Sequence, residues 1–449
     1  MKVHFVFPKW EKLLESHPQL EQEVSGYEIG SFKMSSLGIP TAAAALPDGV
    51  EVSFQDQNLG HVDASIEADL VGIGFFTPQA GHAYRLSRRF RDRGIPTIAG
   101  GIHPTMVPEE TLEHFDAVAV GEVEGLWERI LRDVERGTLK GIYRLEAPPP
   151  SLNPKQPMRS LFKSSTYLKT GVVQIARGCT FPCGYCVVPV CYGSRIRFRP
   201  VEDVLEDIRT LPYRNFYIAD ENILFQDRRN REYAIRLLRA IQESRLTKAF
   251  YLAAYPHILR TADEAFLTLL SRAGCMQIYL VFGQDGPLTK ELADDAVIDA
   301  IWRAEASGIE IMASITLGND GDGPGIGDRI LEYCEKAKLN LVEFTIMTPW
   351  PGTRQFRALE EEGRILTRDW DRFNSANVVF RPRHFSPEAL RDLYLDMWKR
   401  FYRDVDAFEI KKRYVKAFSG NILYRRSQRS GVSATDPCAK KIDGDRSHG

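Results

Sequence analysis

Cys179, Cys183 and Cys186 stand in the string Arg177-Gly178-Cys179-Thr180-Phe181-Pro182-Cys183-Gly184-Tyr185-Cys186, three thiols at a C-x3-C-x2-C spacing. A cube of four irons takes four ligands, normally thiolates, so this set would hold three irons of a [4Fe-4S] cluster and leave the fourth open to an exchangeable ligand. An open iron implies chemistry rather than electron storage alone. The same residues admit two other readings. One is a structural zinc site with the more loosely spaced Cys191 as fourth ligand, because such sites close with four Cys or His. The other is thiols that are simply packed in a core.

Elsewhere, polar strings fall at the ends of apolar runs. Before the cysteines these are Thr77-Pro78-Gln79, Gly100-Gly101-Ile102-His103-Pro104-Thr105 and Gly121-Glu122; after them, Asp220-Glu221-Asn222, Gly283-Gln284-Asp285, Gly318-Asn319-Asp320 and Thr348-Pro349-Trp350-Pro351-Gly352-Thr353. The runs that carry them read as strands alternating with helices, which implies parallel sheets. In the first part, strands are expected at residues 2–7, 50–54, 68–76, 95–99 and 117–120. An amphipathic helix is expected over 81–93, a second begins near Pro108, and a third covers 126–136. Residues 8–35 read as polar and less regular. In the second part, strands at 171–176, 215–219, 250–254, 276–282, 309–317 and 341–347 each precede a helix, and six such units suit an open partial barrel. Ligands of both architectures sit at the carboxyl ends of the strands, where every polar string falls. Gly100-Gly101 is compatible with close approach of a ligand or with a plain tight turn. It lacks the G-x-G-x-x-G spacing of a dinucleotide site.

The cysteines, with aromatic Tyr185 before the last of them, resemble the signature of the radical S-adenosylmethionine (SAM) enzymes. The preceding sheet domain, with GGIHPT, PEE and VGE strings, resembles the cobalamin-binding domain of the cobalamin-dependent members, which include the class B methyltransferases. TPWPGT, Leu359-Glu360-Glu361-Glu362-Gly363-Arg364-Ile365, Asp369-Trp370 and Phe380-Arg381-Pro382 are similar to the later part of the same subgroup. The resemblance implies that Cys179, Cys183 and Cys186 hold the cluster. SAM would chelate its open iron and be cleaved to a deoxyadenosyl radical, methylcobalamin would supply a methyl group, and a second SAM would restore it. It also implies SAM contacts at Tyr185, Asp220, Glu221, Asn222, Gly283, Gln284 and Gly318, with Gln284 standing where many relatives have a glutamate. The corrinoid edge would take Thr77, Gln79, Gly100, Gly101, His103, Thr105, Gly121 and Glu122. The D-x-H-x-x-G string that supplies a histidine below cobalt is missing; the nearest string is Asp56-Gln57-Asn58-Leu59-Gly60.

The expected organisation is an N-terminal doubly wound Rossmann-like domain over 1–145, a Pro/Ser/Lys-rich linker over 146–165, and a (βα)6 partial TIM barrel over 166–360. A mainly helical region follows over 361–424, with a polar, disordered tail over 425–449 that contains Cys438. The aromatic stripe of Tyr394, Trp398, Phe401, Tyr402, Phe408 and Tyr414 reads as core rather than cofactor contact.

A chain of 449 residues exceeds the usual single-domain size. Its 59 Lys plus Arg against 60 Asp plus Glu give no basic excess of the kind that marks nucleic-acid binding. Seven cysteines, three clustered and four scattered, do not form a disulfide framework, which points to a reducing cytoplasm. No run approaches the ~20 apolar residues of a membrane span. The resulting expectation is a cytoplasmic methyltransferase acting at an unactivated carbon of a small-molecule or natural-product substrate held between the two domains, with a flavodoxin or ferredoxin as electron donor. The alternatives are a cyclase or oxidative ring-forming enzyme on the same cofactors, and a non-catalytic cobalamin or iron–sulfur sensor.

Overall fold

Short apolar strands build the first sheet of the computed structural model, which describes residues 1–32, 36–162, 167–220, 223–224, 227–284 and 288–419. The strands are β1 (Lys2–Phe7), β2 (Glu51–Asp56), β3 (Leu70–Gly74), β4 (Thr97–Gly100), β5 (Ala117–Val120) and β6 (Gly141–Arg144). They pair in parallel in the order β2-β1-β3-β4-β5-β6. The central strands are buried on both faces, which explains why β3 is the apolar string Leu70-Val71-Gly72-Ile73. Its Gly72 leaves room for the Phe5 ring, which a Cβ would meet at 2.9 Å. From β1 the chain moves outward to β2 and then crosses back to β3. The loops after β1 and β3 therefore part and leave a crevice at their carboxyl ends. Helix Ala80–Arg91 covers one face, burying Ala80, Ala83, Leu86 and Phe90 and turning Arg88, Arg89 and Arg91 outward.

The second sheet contains β7 (Thr170–Val173), β10 (Asn215–Ile218), β11 (Ala249–Ala254), β12 (Cys275–Phe282), β13 (Glu310–Leu317) and β14 (Val342–Ile346). Each pairs in parallel with the next, giving the open partial barrel. Between β7 and β10 lies a small antiparallel hairpin, β8 (Ala176–Arg177) with β9 (Arg197–Phe198). The strand expected over 171–176 thus ends at Val173, and its last residue turns aside to close the neck of the cysteine loop. The C-terminal region is mainly helical, with Arg354–Glu361, Pro387–Phe401 and Ala407–Ser419. The Ser386 side chain caps the second of these by accepting from the Ala389 N–H at 3.1 Å. Tyr394, Trp398, Tyr402 and Tyr414 are buried as expected of core, whereas Phe408 is 74% exposed. Glu221, Asn222, Asp285 and the tail with Cys438 lie outside the described residues.

Three features depart from the sequence expectation. Residues 8–35 hold helices Leu13–Ser16, Pro18–Leu20 and Glu21–Phe32 rather than irregular chain. Their few apolar residues, Leu13, Leu20 and Val24, are buried in the core of the barrel, so tertiary contact stabilises helices that periodicity alone does not announce. Strand β6 was not foreseen, being only four residues at a sheet edge. The linker region is also anchored: Arg159 donates to Asp207 at 2.5 Å and to the Val172 carbonyl at 2.6 Å.

The two sheets exchange segments. While residues 13–24 join the barrel core, Phe356, Trp370, Phe373 and Val379 from the C-terminal part pack with Val6, Ile73 and Phe75 of the first sheet. The Trp370 indole N–H donates to Glu110 Oε1 at 2.5 Å and the Gly81 N–H to Asp371 Oδ1 at 2.9 Å. Among the described residues no helix is long and apolar enough to cross a membrane.

Candidate functional site

A cavity of about 790 Å3 opens at the crevice of the first sheet and continues into the barrel. On the first side it is lined by Phe7, Phe76, Gly100, Gly101 and Gly121; on the other by Val172, Gln174, Tyr217, Tyr279 and Gln284. These two groups sit at the carboxyl edge of β1, β3, β4 and β5 and along the inner wall of β7, β10 and β12. The juxtaposition predicted for the two domains is therefore present as one continuous space.

Arg177 and Tyr192, at the neck of the cysteine hairpin, line the cavity, whereas Cys179, Cys183, Tyr185 and Cys186 do not. All three cysteines are half-buried. Gly178, which precedes Cys179, has φ +86°, and a Cβ there would collide with the Arg195 carbonyl; only glycine lets the two arms of the hairpin meet this closely. The Cys179 N–H donates to the Gly193 carbonyl at 3.2 Å and the Cys186 N–H to the Cys183 carbonyl at 3.3 Å. The TPWPGT segment clamps the tip: the Gln355 N–H donates to the Gly184 carbonyl at 3.0 Å and Arg354 to the Pro182 carbonyl. Tyr185 is half-buried, and burial pushes its phenol up.

The chemistry of the donor set fits an iron–sulfur cube: three thiols on one loop supply ligands to three irons and leave the fourth without a protein ligand. Cys191, the candidate fourth zinc ligand, has a methionine sulfur as its neighbour. It lies on the short helix Val188–Tyr192, is buried with Sγ 3.8 Å from Met106 Sδ, and burial pushes its thiol up to about 12.

The residues assigned to the corrinoid edge divide. Gly100, Gly101, Gly121 and Glu122 line the cavity. At Gly100 a Cβ would meet nothing within 4 Å, leaving backbone open to a bound group. Thr77, Gln79, His103 and Thr105 do not line it; they are buried supports of the turns. Gln79 accepts from the Phe76 N–H at 3.0 Å and donates to the Pro8 carbonyl at 2.6 Å. Thr105 Oγ1 donates to the Gly101 carbonyl at 2.7 Å and accepts from the Gly121 N–H at 3.0 Å, tying the two glycine turns together. His103 lies 3.2 Å from Thr77 Oγ1 and 3.0 Å from Tyr84 Oη and packs on Phe75 and Trp370. Among the described residues no histidine lines the cavity, whereas Asn58, from the string nearest to D-x-H-x-x-G, does.

Burial lowers His103 to about 3 and His4, which sits in β1 beside Ser53, to about 4. Both folded values lie below the ordinary 6.5, so the unfolded chain binds more protons. The stability from burying neutral rings is complete above about pH 6.5 and is lost as pH falls toward 4 and then 3. Denaturant midpoints are therefore expected to drop steadily from pH 7 to pH 4.5, by on the order of a few kcal/mol. A midpoint that does not move over that window would contradict the burial of both rings.

Glu122 has a second task. Its Oε2 accepts from Arg177 at 2.7 Å and from Arg197 at 3.2 Å, and its Oε1 accepts from Arg197 again. Arg177 also pairs with Glu124 at 2.7 Å. The turn after β5 is thereby bolted to both strands of the cysteine hairpin through buried charges. On the barrel side Gln284 faces the cavity and donates to Thr316 Oγ1 at 2.7 Å. Gly283 and Gly318 support that rim from outside the lining. The Gly283 carbonyl accepts from Asn319 at 2.8 Å, and the Gly318 N–H donates to Asp322 at 3.1 Å. Asp220 is buried directly after the cavity-lining Ala219.

Sequence reasoning missed the residues that come from unexpected places: Tyr27 from the N-terminal helix, Glu343 from β14, and Asn374 to Ala376 from the C-terminal region. A carboxylate inside an otherwise apolar strand was the one available signal, since glutamate is seldom fully buried without a partner.

Residues 31–131 match the family model of the B12 binding domain. The chain is 25% identical over 374 residues to the bacteriochlorophyllide d C-12(1)-methyltransferase of Chlorobaculum tepidum, covering 79% of each. It is 25% identical over 423 residues to the hopanoid C-2 methylase of Rhodopseudomonas palustris, covering 88% of this chain and 75% of the methylase. Its fold resembles that of the radical S-adenosylmethionine methyltransferase TsrM from Kitasatospora setae, solved with cobalamin and a [4Fe-4S] cluster. The TM-score is 0.60 at 16% identity, over 80% of this chain and 75% of TsrM.

Proposed function

We propose that this chain, a cobalamin-dependent radical SAM enzyme, transfers a methyl group to an unactivated carbon of a small-molecule substrate held between its two sheets. The observation that carries this reading is the single cavity shared by the glycine turns of the B12-binding sheet and the inner wall of the barrel. When bound, the cluster with SAM supplies a radical and the corrinoid supplies a transferable methyl group.

The chain's own residues bind, orient and exclude water. Cys179, Cys183 and Cys186 hold the cluster, and Arg354 and Gln355 fix the loop that carries them. Tyr185, Asp220, Glu221, Asn222, Gly283, Gln284 and Gly318 form the SAM side, with Gln284 supplying an amide in place of a carboxylate. Gly100, Gly101 and Gly121 let the corrinoid edge approach backbone, while Thr77, Gln79, His103 and Thr105 hold those turns. A reducing compartment such as the cytoplasm and a flavodoxin or ferredoxin as electron donor complete the reading.

The test is a visible absorption spectrum of protein purified without oxygen, reconstituted with iron, sulfide and hydroxocobalamin and freed of unbound cofactor. Bands from both groups are expected; cluster absorbance without corrinoid would withdraw methyl transfer through cobalt. A narrower prediction concerns Gly101, whose φ is +103° and whose Cβ would lie 2.8 Å from the Phe75 carbonyl oxygen. Gly101→Val adds about 1–3 kcal/mol of backbone strain at this turn. It should weaken corrinoid retention by roughly tenfold or more while leaving the cluster spectrum in place. Unaltered corrinoid affinity would remove the turn from the site.

A further inference from the structure

Glu343 is the second residue of β14, a strand whose other residues are Val, Phe, Thr and Ile, and it is 4% exposed. Its Oε1 accepts from the Tyr27 hydroxyl at 2.6 Å and its Oε2 from the Tyr279 hydroxyl. Three residues separate it from the end of the strand, so it lies about 10 Å below the rim where the polar strand ends gather. Tyr27 reaches it from helix Glu21–Phe32, which closes the floor of the barrel.

The charges around the cavity do not balance. Among the described residues Glu11, Glu122, Glu124 and Glu343 line it, against Arg177 as the single cation. Arg177 is already engaged by Glu122 and Glu124. Among the described residues no Lys or Arg forms an ion pair with Glu343; only hydroxyls, from Tyr27, Tyr279 and Ser314, bond to it. Neutral donors offset only part of the cost of burying a carboxylate, and a buried charge is normally paired. Burial raises the Glu343 carboxyl despite those three hydroxyls, and an ammonium would pull it back down. The inner wall also carries the apolar and aromatic Val172, Tyr217 and Val281, and its other polar groups, Gln174, Gln284, Ser314 and Thr345, are neutral.

We propose that Glu343, held by Tyr27 and Tyr279, seats a basic nitrogen of the substrate, so that the substrate class is an apolar or aromatic amine that enters the barrel nitrogen first. The inference rests on the reading of this cavity as the substrate site of the methyl transfer and narrows what that substrate is. The nitrogen end would lie at the barrel floor and the apolar body would extend upward to the rim, toward the crevice of the first sheet.

The experiment is calorimetric titration of the full chain, loaded with cluster and hydroxocobalamin, with three matched probes: 1-naphthylmethylamine, 1-naphthylmethanol and 1-naphthoate. The amine is expected to bind roughly tenfold or more tightly than the alcohol, with the acid weakest, as a charge-assisted bond to a buried carboxylate requires. Glu343→Gln should bring the amine down to the level of the alcohol. Failure of the amine to bind, equal binding of amine and alcohol to the unaltered protein, or a preference that survives Glu343→Gln would each overturn the proposal. The comparison in the unaltered protein decides the matter even where the variant fails to fold. Because binding is read without turnover, this result is independent of the cofactor spectrum that tests the methyl-transfer reading.

Discussion

Protein carrying Cys183→Ala is expected to lose the cluster absorbance and all cleavage of SAM, yet to retain hydroxocobalamin as the unaltered chain does. With one of three thiolates gone, one iron of the cube has no protein ligand. Cys191 is buried against Met106, and its thiol, pushed up to about 12, stays protonated. Alanine keeps the backbone contact that shapes the loop, because the Cys186 N–H bonds to the carbonyl of residue 183 rather than to its side chain. The fold of the loop is therefore preserved while its chemistry is removed. The corrinoid edge, Gly100, Gly101 and Gly121, belongs to the other sheet. SAM cleavage that survives in this variant would sink the assignment of the cysteines. Loss of both cofactors together would show instead that the loop supports the first sheet.

Glu122→Gln is expected to do what Cys183→Ala does not, and to lower both cofactors at once. Its carboxylate lies between the turn after β5 and both strands of the cysteine hairpin, with Glu122, Arg177 and Arg197 all under 10% exposed. Burial works against the charge on Arg177, but Glu124, Tyr192 and Glu122 together hold it above the ordinary arginine range. Arg177 keeps Glu124 in the variant, whereas Arg197 keeps only the Tyr192 and Pro149 carbonyls at 3.1 and 3.2 Å. Leaving a buried guanidinium without its anion costs about 3–5 kcal/mol. The thermal midpoint should fall by several degrees, and cluster and corrinoid content should fall in parallel as hairpin and turn separate. A midpoint equal to that of the unaltered protein would show that the bolt contributes little.

How much of this could be read from residues alone depends on how local the determining interaction is. The cysteine spacing is a property of eight consecutive residues, so the candidate cluster loop needs no distant contact to be proposed. Apart from β6, the strands of both sheets were legible because burial imposes apolar strings such as those of β3 and β12. Thr77, Gln79, His103 and Thr105 were misjudged for a physical reason: a short polar residue at a strand end bonds equally well to a ligand or to a neighbouring turn. Which carbonyl or hydroxyl it faces is decided by chain distant in sequence, as with Gln79 and Pro8. Glu122 was read as a site residue, but its two arginine partners come from a hairpin where the sequence reading had only the end of a strand running into the cysteine loop. Tyr27 escaped because its helix is held by contacts with the barrel and the C-terminal helix rather than by a periodic apolar face.

The exchange of segments between the sheets has a further consequence for how this protein is made. A ribosome releases the first sheet long before it releases Phe356, Trp370, Phe373 and Val379, which complete that sheet's hydrophobic cluster. Roughly 230 residues separate β6 from the last of them, and at ~5–20 residues per second the nascent sheet waits on the order of ten to fifty seconds. During that interval the apolar face around Phe75 lacks its cover, and the crevice that becomes one wall of the cavity stands open. Synthesis order thus makes the half that is translated first the half that is finished last.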